Sequence, residues 1–406
     1  MDSSSRLRLA AIADDYTGAS DLAGMLYSEG ARTLQTFGVS ESPLPAGYDA
    51  IVVSLKTRSC SANSAQQQTR QAMKQLAALE PRQWQFKYCS TFDSTAAGNI
   101  GPVAEAMLDE LGATFTVAVP ALPVNGRKQY LGHLFVNGEL LAESPLRWHP
   151  LNPMTDSNLV RHLQRQTGRR VGLITLETVR IGPQAVQEEF TRLQNEGVAI
   201  ALVDAIEDCD LSVIGEACAG LRLVTGGSGL GAALARTWTG TRAQTATPPA
   251  ATARPTLILS GSCSRQTLRQ VERLPREPLR LDPRQMQLEE LVAEARRRME
   301  REGLAAIVSS AGPEHQTPGA QQSVEAAFAQ LARELPAEQV IVAGGETSGA
   351  VVEALGISAV EITGMIDPGV PSLLAIGGRP VRLALKSGNF GRDDFFAAAI
   401  QHLERT

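Results

Sequence analysis

The sequence predicts an α/β protein with two doubly wound domains, each built on a mostly parallel sheet, and a cleft between them. Three observations predict this fold class. Short apolar runs recur along the 406 residues, segments of helical period separate them, and one stretch of linker composition interrupts the series. A chain of this length accommodates two or three domains with hydrophobic cores of ordinary size.

The first series of elements ends before residue 239. Ile51-Val52-Val53 is a continuous apolar run, which is typical of a strand buried on both faces. The helical spacing of Leu22, Met25 and Leu26 predicts a helix over Thr17–Ser28. The predicted strands of this series are Leu7–Ala13, Thr33–Phe37, Ala50–Leu55, Trp84–Cys89, Phe115–Pro120, Val171–Ile174, Ala199–Val203 and Leu221–Thr225.

Two segments break the alternation. Gln129–Glu143 contains Asn137-Gly138 between two apolar runs, which predicts an inserted β hairpin. Residues 239–255 are rich in Thr, Ala and Pro and lack an apolar period, which predicts a linker. The predicted domains are therefore 1–238 and 256–406.

A second α/β series follows the linker. Its predicted strands are Thr256–Ser260, Ala305–Ser309, Gln339–Ala343, Ala359–Ile362 and Arg382–Lys386, and its predicted helices include Leu288–Glu302 and Ser323–Glu334. In open sheets of this kind, ligands bind beyond the carboxyl ends of the strands. The loops that follow the strands are therefore the first candidates for function.

Composition excludes several classes of function. A net charge of −5 gives no basic surface for nucleic acid, and no apolar run is long enough to cross a bilayer. The polar residues 1–8 show no secretory signal, and five cysteines without CxxC spacing indicate reduced thiols, so we expect a cytoplasmic protein. The five histidines form no HExxH or HxH pair, so no metal site is predicted.

Two adjacent carboxylates follow the first predicted strand. Asp14 and Asp15 stand where the first helix begins, and acids at such a position are costly unless they bind hydroxyls, a cation or helix amides. The alternative is that Asp15 or Thr17 only caps the helix. A cap needs one acid, so the pair favours a ligand site.

A second polar loop follows the strand that ends near Lys87. It combines that lysine with Asp93 and four hydroxyls, which suits a polyhydroxylated or anionic ligand. Arg58 follows another strand of the series and can bind a carboxylate with two nitrogens. The alternative for this loop is an ordinary capping turn. The four hydroxyls are those of Ser90, Thr91, Ser94 and Thr95.

Glycine-rich loops end four predicted strands. Glycine lets backbone amides approach a phosphate, and a following helix N-terminus adds partial positive charge. None of the loops is a P-loop or a dinucleotide fingerprint, and any one alone could be a tight turn. Three in one small domain favour nucleotide or phosphate binding, and together with the acidic loops they suggest phosphoryl transfer. The loops are Thr225–Gly231, Ser260–Ser264, Gly344–Gly349 and Lys386–Gly391.

Ten stretches in order resemble the four-carbon acid sugar kinase family over nearly the whole chain. They are ADDYTGASD (13–21), SLKTRS (54–59), FKYCSTFDSTAAGNIGPV (86–103), PALPVNGR (120–127), HPLNPMTD (149–156), LVTGGSGLG (223–231), LSGSCS (259–264), AGGETSG (343–349), DPGVP (367–371) and LKSGNFGRDDFF (385–396). The one visible departure inside a motif is Tyr16, where the family usually has Phe. The resemblance implies an N-terminal sugar-acid-binding domain and a C-terminal nucleotide-binding domain.

The resemblance also implies a reaction and its residues. ATP, with Mg²⁺ bridging its phosphates, would phosphorylate the 4-hydroxyl of 3-oxo-tetronate. ATP contacts are expected at Ser260, Gly344, Gly345, Glu346, Thr347 and Gly388. On the substrate side the resemblance implies Asp14, Asp15, Arg58, Lys87 and Asp93. The hydroxyl-rich loop adds Ser90 and Thr91 as expected substrate contacts, and our mechanistic hypothesis makes Asp15 or Asp93 the base.

Two other functions stay open from sequence. A kinase of the same family could act on threonate or erythronate, and a non-catalytic sensor could bind a sugar acid without turnover. The expected partner is a small sugar acid, with a homodimer left open and neither nucleic acid nor membrane expected.

Overall fold

The computed structural model describes residues 7–40, 43–149, 152–240, 253–282, 288–309, 320–377 and 380–405. They form two compact units: unit 1 comprises the described residues of 7–33 and 38–240, and unit 2 those of 34–37 and 253–405. Most of the predicted linker 239–255 lies outside the described residues, so the predicted domain boundaries stay a prediction.

Strands and helices alternate along most of the chain. The strands are β1 (Leu9–Ala13), β2 (Thr33–Phe37), β3 (Ala50–Ser54), β4 (Gln83–Lys87), β5 (Thr116–Val119), β6 (Arg127–Tyr130), β7 (His133–Val136), β8 (Glu139–Leu140), β9 (Arg170–Ile174), β10 (Val198–Val203), β11 (Leu223–Gly226), β12 (Thr256–Ser260), β13 (Leu279–Arg280), β14 (Leu304–Val308), β15 (Gln339–Ala343), β16 (Ala359–Asp367), β17 (Val370–Ile376) and β18 (Arg382–Lys386). The helices are α1 (Tyr16–Ser28), α2 (Ala62–Ala77), α3 (Ile100–Leu111), α4 (Leu159–Gln164), α5 (Leu176–Ile181), α6 (Pro183–Asn195), α7 (Asp208–Ala217), α8 (Ser228–Thr239), α9 (Arg265–Glu272), α10 (Leu288–Glu302), α11 (Ala320–Glu334), α12 (Gly345–Ala354) and α13 (Phe395–Leu403).

Unit 1 is built on a parallel sheet in the order β3-β1-β4-β11-β5-β10-β9. The chain leaves β1 for β3 on one side and for β4 on the other, so the strand order reverses between β1 and β4. In register, Ala13 pairs with Ser54 and with Lys87, which brings the ends of these three strands to one edge. Ligands bind at such a switch point in open α/β sheets.

The predicted hairpin is confirmed and is larger than expected. Strands β6, β7 and β8 form a small antiparallel sheet with two two-residue turns. Asn137-Gly138 makes one turn, and Leu131-Gly132 makes the other, with positive φ at all four residues. Such turns match the twist of the paired strands. Leucine is unusual at positive φ, and that is why sequence predicted only the Asn-Gly turn.

Unit 2 contains a parallel portion in the order β13-β14-β12-β15-β18, whose strand order reverses between β12 and β15. The sheet continues from β18 through β17 and β16 to β2 by antiparallel pairing. Sequence predicted neither β17 nor this antiparallel portion, and placed β2 with the first series. The prediction of an α/β protein with mostly parallel sheet pairing is confirmed.

Apolar clusters hold the sheets and helices together within each unit. In unit 1, the ring centroids of Phe115 and Phe190 lie 5.4 Å apart, in a core that also contains Val203, Leu211 and Leu234. In unit 2, Phe395 and Phe396 of α13 pack beneath β15 and β18. Within the described ranges, no helix is long and apolar enough to cross a membrane.

Candidate active site

The acidic loop of unit 1 is organised by one guanidinium. Arg58 donates from Nε to Asp14 Oδ2 at 2.9 Å and from Nη2 to Asp14 Oδ1 at 2.7 Å. The same Nη2 reaches Asp15 Oδ1 at 2.7 Å, and Nη1 lies 3.6 Å from Asp93 Oδ2. The structure therefore brings together four of the predicted site residues, from three different loops.

The pKa values of the neighbouring acids Asp14 and Asp15 are shifted in opposite directions. Burial raises the pKa of Asp14, and its ion pair with Arg58 offsets this only in part. Burial also pushes the pKa of Asp15 upward, but Arg58, Lys87 and hydrogen bonds outweigh it, so the pKa of Asp15 is lowered. Two of those bonds come from Thr17 Oγ1 at 2.8 Å and from the Gly18 amide at 3.0 Å, so Asp15 also caps α1. The predicted cap and the predicted ligand-site acid are the same residue.

Asp93 is held differently from Asp14 and Asp15. Among the described residues it receives no hydrogen bond, and its Oδ1 is buried without a partner. The preceding residue, Phe92, is fully buried at φ 55°, a left-handed conformation that a bulky side chain adopts only when its surroundings hold it. Packing of its ring against Tyr88 and His162 supplies that hold. The strained backbone at Phe92 fixes where the Asp93 carboxylate lies.

Lys87 forms a second buried cluster beside the first. Its Nζ donates to the Tyr88 carbonyl at 3.0 Å and lies 3.9 Å from Asp21 Oδ2. Ser228 Oγ donates to the same Asp21 oxygen at 2.6 Å, and burial raises the pKa of Asp21. Sequence analysis named Asp21 only as a letter of a motif. Its position one helical turn after Thr17 on α1, facing the same strand ends, is the signal that could have found it.

The predicted hydroxyl residues Ser90 and Thr91 lie in the turn that follows Lys87. Thr91 is buried, with its Oγ1 2.9 Å from the sulfur of Cys89, while Ser90 is partly exposed. Arg127, which begins β6, lies close enough to Cys89 and Asp21 to interact with both, and burial lowers its pKa. The Arg127 Nη1 group donates to the Asn125 carbonyl.

Asn99 lies at the site but was not singled out by sequence analysis. Its side-chain amide donates to the carbonyls of Thr57 at 2.6 Å and Cys60 at 2.8 Å, on either side of Arg58. The side chain of Asn99 is buried and lines one depression with Asp14, Arg58 and Asp93. Asn99 therefore fixes the loop that carries the central guanidinium. Sequence offers no signal for this role, because Asn just before a helix predicts an N-cap, and only the structure shows that its side chain does not cap α3.

The glycine loops of unit 2 meet at its switch point. The amides of Gly261 and Ser262 both donate to the Ala343 carbonyl, at 3.0 and 3.2 Å, and the Gly344 amide donates to the Lys386 carbonyl at 2.9 Å. These bonds tie together the ends of β12, β15 and β18. The predicted nucleotide residue Ser260 is fully buried as the last residue of β12.

Close packing explains why these positions are glycine. A Cβ on Gly261 would lie 2.3 Å from Thr347 Oγ1, and a Cβ on Gly388 would lie 2.4 Å from Ser262 Oγ. Gly344 has φ 128°, which other residues rarely adopt. Glycine at positions 261 and 388 therefore lets the loops that follow β12 and β18 pack directly against Thr347 and Ser262 at this edge.

The remaining predicted nucleotide residues begin α12. Gly345 and Glu346 are exposed in its first turn, whereas Thr347 is buried beneath the loop of Gly261. The structure thus places all six predicted nucleotide residues at one edge of unit 2 and all seven predicted substrate and catalytic residues at one edge of unit 1.

The described residues contain no cluster of three or more His, Cys, Asp or Glu side chains suited to a metal ion. Mg²⁺ in nucleotide sites is held mainly by phosphate oxygens and water, with one or two carboxylates. The residues present are compatible with that mode.

Two family models match the chain, one for each predicted domain. A model described as a sugar-binding N-terminal domain matches residues 9–234, and one described as a nucleotide-binding C-terminal domain matches residues 257–396. The two matches cover both edges described above.

Curated relatives share nearly the full length. A Burkholderia multivorans protein is 46% identical over 99% of this chain and 99% of its own, and a Pseudomonas fluorescens protein is 44% identical over 99% and 98%. Both are named 3-oxo-tetronate kinase. A solved structure from Salmonella typhimurium LT2, whose description names a tRNA synthase, superposes with a TM-score of 0.88 at 42% identity, over 97% of this chain and 98% of that one.

Proposed function

We propose that the chain is an ATP-dependent sugar-acid kinase, because it belongs to the family that joins a sugar-binding N-terminal domain to a nucleotide-binding C-terminal domain. Its reaction is transfer of a phosphoryl group from ATP to the 4-hydroxyl of 3-oxo-tetronate, which makes it a phosphotransferase with an alcohol acceptor. The observation that carries the proposal is the pairing of an acid-rich edge in the sugar-binding half with a glycine-lined edge in the nucleotide-binding half. Phosphoryl transfer needs mainly positioning and charge stabilisation, which these two edges offer.

Lys87 is the better candidate for the substrate carboxylate. Three nitrogens of Arg58 already face aspartates, so its role is to hold Asp14 and Asp15 in place. Lys87 has only a carbonyl at 3.0 Å and a carboxylate at 3.9 Å. A Cβ on Gly18 would lie 2.2 Å from Asp15 Oδ1 and 3.2 Å from Lys87 Nζ, so glycine lets α1 begin close to both charged groups. The carboxylates of Asp14 and Asp15, together with Ser90 and Thr91, are then available for substrate hydroxyls.

Asp93 is the better candidate for the base. Asp15 accepts bonds from Arg58, Thr17 and Gly18, and those bonds lower its pKa, which weakens it as a proton acceptor. Asp93 receives no hydrogen bond within the described chain. A base must lie within hydrogen-bond reach of the proton that it removes, and Asp93 is the acid with acceptor capacity left.

Unit 2 supplies the nucleotide side. Ser260, Gly344, Gly345, Glu346, Thr347 and Gly388 are proposed to hold ATP, and Mg²⁺ is proposed to bridge its phosphates. When bound, ATP supplies the phosphoryl group. The contribution of the chain is the N-terminal turn of α12 together with the loops that follow β12 and β18, which glycine allows to pack closely at this edge.

The test is an ADP-release assay with Mg-ATP over both hands of 3-oxo-tetronate, threonate, erythronate and a blank without acceptor. We expect turnover confined to an oxo-acid. Turnover on threonate or erythronate only would keep a sugar-acid kinase and overturn the oxo-substrate. No turnover by folded protein, with thermal stabilisation by a sugar acid alone, would establish the sensor instead.

The tRNA synthase description of the Salmonella structure has no support in this chain. The net charge is −5, and RNA binding depends on basic surface that neutralises phosphates. The curated relatives that share nearly the full length carry the kinase name instead.

Three further features stay proposals. They are the domain boundaries at 238 and 256, a homodimer and a cytoplasmic location. Limited proteolysis, sedimentation velocity and cell fractionation test them in turn.

A further inference from the structure

One buried charge in unit 2 has no part in the proposal above. Lys386 is the last residue of β18 and its side chain is fully buried. Its Nζ donates to Thr267 Oγ1 at 3.0 Å and to the carbonyls of Ser387 and Gly388, both at 3.2 Å. The ring of Phe395 lies 5.8 Å away on its other side. Among the described residues no carboxylate lies within ion-pair distance.

A buried cation without a counter-ion is rare, since burial penalises the charged form by several kcal/mol in general. The charged groups on the helices packed around Lys386 do not relieve it. They are exposed on α9 and α12, and the one histidine of α13 bonds to Ser372. These groups are Arg265, Arg269, Glu272, Glu346, Glu353 and His402.

The sequence itself marks this lysine as unusual. The chain has 38 basic residues, of which five are lysines and the remaining 33 are arginines, and Lys386 is the only lysine after residue 128. Lysine differs from arginine as a compact point charge whose pKa shifts readily on burial. Lysine at this position therefore suits a charge that has to fit beneath a tight loop.

The bonds of Lys386 also set the direction of the loop. The Gly388 carbonyl accepts from Lys386, from Thr267 and from Ser264 Oγ at 2.6 Å, so it points into the unit. In a planar trans peptide the next amide points the opposite way. The amide of Asn389, an exposed residue, therefore points outward, and it donates no hydrogen bond among the described residues. Amides presented this way form an anion-binding surface.

We propose that Lys386 is a positioning residue of the nucleotide site: it turns the carbonyls of Ser387 and Gly388 inward, and a bound polyphosphate neutralises its buried charge. The inference rests on the proposed nucleotide site and adds a residue to it. Burial lowers the pKa of Lys386 to about 7 in the free protein, so its ammonium form is much less favoured near neutral pH than that of an exposed lysine. A polyphosphate stabilises the ammonium form, so binding is coupled to uptake of a proton.

The experiment is calorimetric titration of the full chain with ADP at pH 7, 8 and 9, in two buffers of different ionisation enthalpy. For the wild type we expect proton uptake at pH 7 and pH 8 that becomes small by pH 9, for a pKa that rises by about one unit on binding. Affinity should weaken as pH rises from 7 to 9, by up to about tenfold in total. Protonation of ADP itself contributes equally to the proton uptake of every variant, so a difference in uptake between variants comes from the protein.

Lys386→Met should remove the proton uptake and weaken ADP binding about tenfold at pH 7, the effect of about one unit of pKa coupling. Lys74→Met, at an exposed lysine on α2, is the matched control and should behave as the wild type. Equal uptake and affinity in Lys386→Met would overturn the inference. If Lys386→Met does not fold, the wild-type titration still tests the inference. Absence of proton uptake on ADP binding above pH 7.5 would overturn it.

Two failures are distinguishable. ADP binding with proton uptake but no turnover on any sugar acid would overturn the kinase and leave the role of Lys386 standing. Turnover with pH-independent nucleotide affinity would leave the kinase standing and overturn the role of Lys386. Absence of any nucleotide binding would overturn both.

Discussion

Units 1 and 2 place their functional loops at the same topological position, beyond parallel strands where the strand order reverses, and in each a buried lysine ends a neighbouring strand. Their chemistry is opposite. Lys87 lies 3.9 Å from Asp21, and Arg58 joins three further aspartates, whereas Lys386 is surrounded by carbonyls, a hydroxyl and a ring. Unit 1 sets each of its two cations against aspartates of the same unit, an internal balance that Lys386 of unit 2 lacks among the described residues. The difference teaches that the same topological position can hold either cations paired with acids or a buried cation without an acid, according to which side chains end the strands.

Removing Arg58 tests the internal balance and should have the largest effect. Arg58→Met leaves Asp14 and Asp15 buried without their partner, so we expect a loss of about 3 kcal/mol in unfolding free energy together with loss of turnover. Urea unfolding and the ADP-release assay measure the two. Arg70→Met is the control, because its pair with Glu110 is half exposed and contributes at most about 1 kcal/mol. Equal stability of the two variants would contradict the balance in unit 1.

Replacing Asp93 distinguishes the proposed base from Asp14 and Asp15, the two aspartates that pair closely with Arg58. Asp93→Asn should lower kcat by about 10²- to 10⁴-fold with little change in stability, since no hydrogen bond is lost. Asp15→Asn should instead cost about 1 kcal/mol or more in stability through its helix cap, with a smaller loss in kcat. Asp109→Asn, an exposed acid, is the control. The reverse order of kcat losses would assign the base to Asp15.

Replacing Asn99 tests whether the ion pairs of Arg58 depend on the position of the loop that carries this arginine. Asn99→Ala removes bonds to the Thr57 and Cys60 carbonyls, and we expect about 1–3 kcal/mol of destabilisation and a higher KM for the sugar acid. KM for ATP should stay unchanged. Asn195→Ala, at an exposed site on α6, is the control. A rise in KM for both substrates would show that Asn99 acts on general stability instead.

Gly388→Ala perturbs the glycine-lined edge and should have the smallest effect. The new Cβ would lie 2.4 Å from Ser262 Oγ, so the loop must shift. We expect KM for ATP to rise about tenfold, near 1.4 kcal/mol, with KM for the sugar acid unchanged. Gly220→Ala adds a methyl group in open space and is the control. Unchanged nucleotide affinity would remove Gly388 from the site.

The general scheme of the fold was predictable because buried parallel strands and amphipathic helices each carry a local signature. Helix α10 spans the predicted residues 288–302, and β12 and β15 agree with prediction at both ends. The antiparallel β17 was not predicted, since its apolar run follows a Pro-Gly turn that no local rule distinguishes from a loop. Leu131 at positive φ was equally hidden, because the strand pairing on both sides imposes it.

The sequence by itself determined which side chains could act. Local order places Asp14, Asp15 and Lys87 at the ends of apolar strands of unit 1, and parallel pairing then requires these three residues to share an edge of that unit. Only the tertiary structure decided which of them remain available. Arg58 is engaged because three loops converge on it, Asp93 accepts no hydrogen bond among the described residues although Arg58 lies 3.6 Å away, and Lys386 has no acid within ion-pair distance among those residues. The physical reason is that charge compensation depends on distances of a few ångströms between residues far apart in the chain, which local sequence does not encode.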